Sequence, residues 1–87
     1  ALRDLSLETW NEVITTNLTG AFLVTRAVVE YIDPERSPSI VLVASRSGIT
    51  VPSGSLAYGA SKGGIHGFAL SLAEQMRHMN TRVHTLC

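Results

Sequence analysis

The sequence has a single cysteine, Cys87, among 87 residues. That excludes an internal disulfide framework and makes a reducing, cytoplasmic location the expectation. Charge is scarce as well. Asp, Glu, Lys and Arg make up 16% of the chain and sum to zero. The basic residues are scattered, so neither a nucleic-acid footprint nor attachment to an anionic membrane is expected. Long apolar runs are missing too. The longest, AFLV and IVLVA, fall far short of the roughly 20 residues that span a bilayer. The opening ALRDLSLETW does not read as a secretory leader. His66, His78 and His84 show no metal-ligand spacing with one another or with carboxylates, so they are read as structural or surface residues and no metal is expected.

What is present is apolar. Apolar residues make up 45% of a chain with room for one small domain. A free-standing domain of this size buries only about 60–65% of its unfolded surface and needs a charged exterior. Much of this surface is therefore expected to be covered by other protein, from the same chain or from a partner.

Residues 6–32 carry helical periodicity, with Trp10, Val13, Ile14, Leu18, Ala21, Phe22, Val28 and Ile32 on the repeat. Ser6 suits the N-cap and Glu8 the first turn. DPERSP interrupts at Pro34 and Pro38. Residues 39–45, SIVLVAS, form an apolar run without alternation, which predicts a strand buried on both faces of a parallel sheet. Residues 46–55 read as a loop, 56–79 as a second helix capped near Ser55, and 82–86 as a second strand. Strand, helix and strand make one βαβ unit, a slice of a doubly wound α/β domain.

Several residues break these patterns. Asn17 interrupts the apolar stripe of the first helix, where a buried amide must find a partner or cost a few kcal/mol. A satisfied helix irregularity and an amide held inside a site are equally consistent with that position. The NLT sequon there lies in a half-buried helix and carries no weight. Ser45 ends the first strand, where ligands of doubly wound sheets gather, although its position taken alone favours an ordinary serine bonding its own loop. A G-x-S-x-G elbow is missing, which argues against a hydrolase nucleophile. Arg46, next in the loop, is read as a surface residue. Tyr58 and Lys62 are four apart on one side of the second helix, beside a line through Ile65, Ala69, Leu72 and Met76. A lysine snorkelling along a tyrosine produces the same pattern. Gly63 and Gly64 each cost about 1 kcal/mol in a helix interior, which implies that something packs closely just past the lysine.

Taken together, these segments resemble the short-chain dehydrogenase/reductase family. YGASK resembles its Tyr-x-x-x-Lys signature, IVLVASRSG the strand that delivers its active-site serine, and NLTGAF its Asn-x-x-Gly segment. Ser45 precedes Tyr58 by thirteen residues, the family's usual interval. RVHTLC resembles the next strand, with His84 where asparagine is common. The likeness covers nearly the whole chain.

The resemblance implies a partial Rossmann-like doubly wound parallel sheet and an NAD- or NADP-dependent oxidoreductase that interconverts an alcohol and a carbonyl compound. It assigns the catalytic set Asn17, Ser45, Tyr58 and Lys62, with Tyr58 and Lys62 also touching the cofactor. Tyr58 would be the general acid or base, and Ser45 would hold the substrate oxygen. Lys62 would bond the nicotinamide ribose, and its charge favours phenolate while burial opposes it. Asn17 would hold a water linking Lys62 to solvent. The family commonly forms dimers or tetramers through helices matching 6–32 and 56–79. Its glycine-rich phosphate loop, its Asn-Ala-Gly segment and the Pro-Gly turn after the last strand are absent here. Residues 1–87 are therefore expected to be the catalytic segment of one such domain, without the dinucleotide-binding half. A second reading is a cofactor-free structural or interaction segment that keeps these residues as relics.

Overall fold

The structure is a computed structural model, and residues 1–46 and 54–87 are described. A short 3-10 turn at Leu2–Asp4 precedes helix α1, Leu7–Ile14. Ser6 caps α1 as expected, its hydroxyl accepting from the Thr9 amide at 3.0 Å. The helix then widens into a π-helical segment, Thr15–Thr19, and continues as α2, Gly20–Val29. The predicted end at residue 32 is three residues late. Pro34 disfavours helical backbone before it, and Asp33 is accordingly extended (φ −102°, ψ 106°). Tyr31 and Ile32 close the chain in tighter turns, donating to Val28 and Val29.

Strand β1 is Ser39–Val43 and strand β2 is Arg82–Leu86. Between them runs α3, Leu56–Met76, followed by a 3-10 turn at Arg77–Met79. The strands pair in parallel, Ser39 opposite Arg82 through Val43 opposite Leu86. Parallel pairing needs a crossover of this length, and α3 supplies it. The ladder begins where Arg82 N donates to Pro38 O at 3.1 Å and extends past the strand where Ala44 N donates to Leu86 O at 2.8 Å.

The register is fixed from outside the sheet. Ser37 and Asn80, the residues turning into the two strands, both adopt positive φ, 49° and 52°. The Asn80 side chain donates to the Pro34 carbonyl at 2.8 Å and to the Ser37 hydroxyl at 2.9 Å. One amide thus ties together the entries to both strands.

The core lies between one face of the sheet and α3. Leu42, Ala44, Ile65 and Ala69 are buried there, with Ile40, Val83, Phe68 and Leu72 packed around them. Burial of β1 on both faces, expected from the unbroken apolar run, is not found. Val41 and Val43 on the second face are 58% and 64% exposed. The described helices cover one face only. The molecule is accordingly slab-like, 50 × 25 × 15 Å, with a radius of gyration of 14.6 Å, against about 12 Å for a compact chain of this length. It exposes 6069 Å² for a mass of 9.4 kDa, where a compact monomer exposes roughly 5000 Å². No described helix is long and apolar enough to cross a membrane.

Candidate active site

The candidate residues lie on the π-helical turn, on the amino-terminal turns of α3 and just beyond β1, and the contacts described below join the first two of these. Ser55 caps α3 by accepting from the Tyr58 amide at 3.2 Å, which sets where the helix begins and hence which way Tyr58 points. Spacing of four then places Tyr58 and Lys62 together. The Lys62 ammonium lies over the Tyr58 ring, 5.8 Å from its centroid. Tyr58 is 37% exposed and Lys62 half-buried, so the pair sits at the rim of the buried stripe.

That stripe is formed by Ala57, Ser61, Ile65 and Ala69, all buried, at helical spacing. Ser61 is fully buried. Its hydroxyl donates to the Tyr58 carbonyl at 2.8 Å and accepts from the Asn17 side-chain amide at 3.1 Å. Asn17, in the centre of the π-helical segment, is thereby attached to the turn of α3 that carries Tyr58 and Lys62. Of the two alternatives left open for Asn17 by its sequence position, the helix irregularity with a satisfied amide is observed: the helix widens there, and the amide donates to Ser61. Single π turns inside α-helices recur at functional sites.

The close packing predicted past Lys62 is found at Gly64. A β-carbon there would come within 2.8 Å of Leu18 Cδ2. Leu18 follows Asn17, so this close contact lies next to the one that ties the asparagine to α3.

Ser45 is half-buried, one residue beyond buried Ala44 and two beyond the end of β1. The strand expected over 39–45 thus ends two residues early, and Ser45 follows it rather than ending it. Arg46 is exposed. The loop predicted over 46–55 lies outside the described residues at 47–53. Of the histidines, His66 lines a cleft of about 80 Å³ between α3 and β2 with Ala69, Val83 and Thr85, and its buried Nδ1 has no protein partner among the described residues. No group of three potential metal ligands occurs among the described residues.

Sequence reasoning missed Ser61. The apolar line was traced from Lys62 through Ile65, whereas the buried line reaches Ile65 from Ser61, four residues before it. A serine on the buried side of a helix, opposite an asparagine that needs a partner, was the available signal.

The family model described as short chain dehydrogenase matches residues 1–87. The chain belongs to that family. Among its curated relatives is the 3-oxoacyl-(acyl-carrier-protein) reductase FabG of Thermotoga maritima, 40% identical over 79 residues that cover 91% of this chain and 32% of that one. The acetoacetyl-CoA reductase of an Acinetobacter species is 36% identical over 84 residues, covering 97% of this chain and 34% of the relative. A solved metagenomic short-chain oxidoreductase in complex with NADP superposes with a TM-score of 0.83 at 28% identity, covering 97% of this chain and 38% of that one. The dehydrogenase-family segment described here thus spans about a third of the length of the curated relatives it matches. The parallel βαβ arrangement is a portion of the Rossmann-like sheet of those solved neighbours.

Proposed function

We propose that the complete protein carrying these residues is an NAD- or NADP-dependent oxidoreductase that interconverts an alcohol and a ketone. The observation that carries this is the pairing of Tyr58 and Lys62 at an accessible rim of α3, with Asn17 linked to the same helical turn. A phenol, an ammonium and a strand-end hydroxyl suit a carbonyl oxygen and the ribose hydroxyls of a nicotinamide nucleotide. Those groups fit the nicotinamide end of such a cofactor, while the pyrophosphate needs a glycine turn and helix N-terminus that this sequence does not contain. Both named relatives are reductases of 3-oxoacyl groups, which makes a ketone the expected oxidised substrate.

When bound, the nicotinamide supplies or accepts the hydride. The protein's own residues handle the oxygen. In reduction the Tyr58 hydroxyl donates its proton to the carbonyl oxygen as negative charge develops there, and in oxidation it takes the proton back. The Ser45 hydroxyl donates to that oxygen and fixes its position. Lys62 holds the ribose beside the tyrosine ring over which its ammonium lies. Asn17 holds a water through which the proton is replaced from solvent.

A homodimer or homotetramer built through residues 6–32 and 56–79 belongs to the same proposal. Val24 and Leu70, on α2 and α3, are 65% and 64% exposed, and a second copy would cover such apolar helix surface.

Tyr58→Phe in the complete protein is the test. It keeps the ring and its packing but removes the transferable proton. Turnover should fall by at least about 10²-fold, the lower end for losing a general acid–base group, with cofactor affinity nearly unchanged. Near-normal turnover in a folded variant would return the pair to a structural role.

A further inference from the structure

Ser61 stands between Tyr58 and Lys62, and the oxidoreductase chemistry gives it no task. It is nevertheless fully buried, at 0% exposure, and carries two hydrogen bonds to residues of the site. A serine hydroxyl has one proton to donate. That proton is directed at the Tyr58 carbonyl, 2.8 Å away. Toward Asn17, at 3.1 Å, Ser61 Oγ therefore serves as an acceptor. Asn17 Nδ2 must face Ser61, and Oδ1 is turned away from it. The hydroxyl thus chooses between the two orientations of the amide, which an apolar side chain of similar size leaves unspecified.

The need for such a choice comes from the other helix. Asn17 lies in the middle of the π-helical segment Thr15–Thr19, where the turn is wider than in α1 or α2. The angular position of a side chain in that segment follows from what it contacts across the interface. The contact in question bridges 44 residues of sequence. On one side of it Leu18 is packed against Gly64, which brings the backbones close but imposes no direction on a polar group.

We infer that Ser61 is a positioning residue: its hydroxyl orients the Asn17 amide and holds it in register with the α3 turn bearing Tyr58 and Lys62. This rests on the assignment of Asn17, Tyr58 and Lys62 as catalytic residues. A buried serine with a purely structural role would affect stability, and its effect on turnover would be independent of Asn17.

The experiment is a double-mutant cycle in the complete enzyme, using Ser61→Ala, Asn17→Ala and the double variant. Ser61→Ala should lower kcat by about tenfold, the equivalent of one buried hydrogen bond, with KM for the ketone changing little. In the Asn17→Ala background the same change should alter kcat by less than about twofold, because the group it acts through is already gone. A readout independent of turnover is the Asn17 side-chain NH₂ signal in NMR. Its protons should be protected from solvent exchange in the parent and lose protection in Ser61→Ala. If the alanine variant does not fold, Ser61→Cys, which fills the space with a weaker hydrogen-bonding group, is read in its place. Unchanged kcat in Ser61→Ala, full additivity with Asn17→Ala, or an unaltered Asn17 NH₂ signal overturns the inference. Tyr58→Phe keeps the two levels apart. Its inactivity together with a neutral Ser61→Ala sinks only the role of Ser61, whereas an active Tyr58→Phe sinks the oxidoreductase assignment itself.

Discussion

Leu18 is seated on Gly64 so closely that a methyl group on the glycine would meet Leu18 Cδ2 at 2.8 Å and Cδ1 at 3.3 Å. Two effects then oppose each other in Gly64→Ala. Removing a helix-interior glycine contributes about 1 kcal/mol. Displacing the Leu18 side chain from its rotamer costs about 0.5–1.5 kcal/mol. The expected result is near-neutral stability for Gly64→Ala by thermal or urea unfolding of the complete protein. In a Leu18→Ala background the opposing effect is gone, and the same substitution should stabilise by about 1 kcal/mol. Equal stabilisation in both backgrounds would mean that Leu18 imposes nothing on this position.

Asn80 offers a second test of the scaffold. Its backbone is left-handed, at φ 52°, and its side chain bonds the entry to β1 at the Pro34 carbonyl and the Ser37 hydroxyl. Asn80→Ala loses both bonds and meets a left-handed penalty of roughly 1–2 kcal/mol. Asn80→Gly loses the bonds but not the conformation. Alanine should therefore be the more destabilising of the two, by about 1 kcal/mol, in equilibrium unfolding. The reverse order would show that the backbone relaxes out of the left-handed region at little cost.

The helix surfaces yield a third expectation. Phe22 and Phe68 pack edge to face within the chain, centroids 6.4 Å apart, and Arg26 lies over the Phe22 ring at 4.9 Å. A charge at either phenylalanine would damage the fold as well as any assembly. Leu70 and Val24 are more exposed and separate the two effects. Leu70→Lys, alone or with Val24→Lys, should shift the complete protein toward monomer in sedimentation velocity while its circular dichroism is preserved. An unchanged oligomer would place the subunit contact elsewhere on the molecule.

The elements that were legible in the sequence are those whose signals are local. Ser6 and Ser55 marked helix starts because an N-cap hydroxyl works within three residues of itself. The first strand was legible from its β-branched run, and its parallel pairing with the second from the helix between them. The π-helical turn was not readable, because a wider turn is stabilised by what lies across the interface, here Ser61 and Gly64. The exposure of Val41 and Val43 was not readable either. An apolar run reports that a strand suits burial on both faces, and the cover on the second face is not a property of the run. In the site, spacing alone brought Tyr58 to Lys62, while the partner of Asn17 emerged only when the two helices were laid against each other.

Lys62 is the residue whose structural and functional roles diverge most clearly under test. Its ammonium lies 5.8 Å from the centroid of the Tyr58 ring. As a half-exposed cation–π partner it contributes on the order of 0.5–1 kcal/mol to stability and nothing to ligand binding. As a ribose ligand it contributes a charge-assisted hydrogen bond, about 1.5–3 kcal/mol, which corresponds to roughly a 10- to 100-fold change in affinity. Lys62→Met has similar length and no charge, so it keeps the packing along the helix and removes both interactions. The expected outcome in the complete protein is a small fall in melting temperature and a weakening of NAD(P)H binding by at least about tenfold, read by fluorescence titration. Tyr58→Phe, which retains the ring face beneath the ammonium, should leave that affinity nearly intact. Matching cofactor affinities for the parent and Lys62→Met, with only the melting temperature lowered, would assign the lysine to the tyrosine ring alone and remove it from the cofactor site.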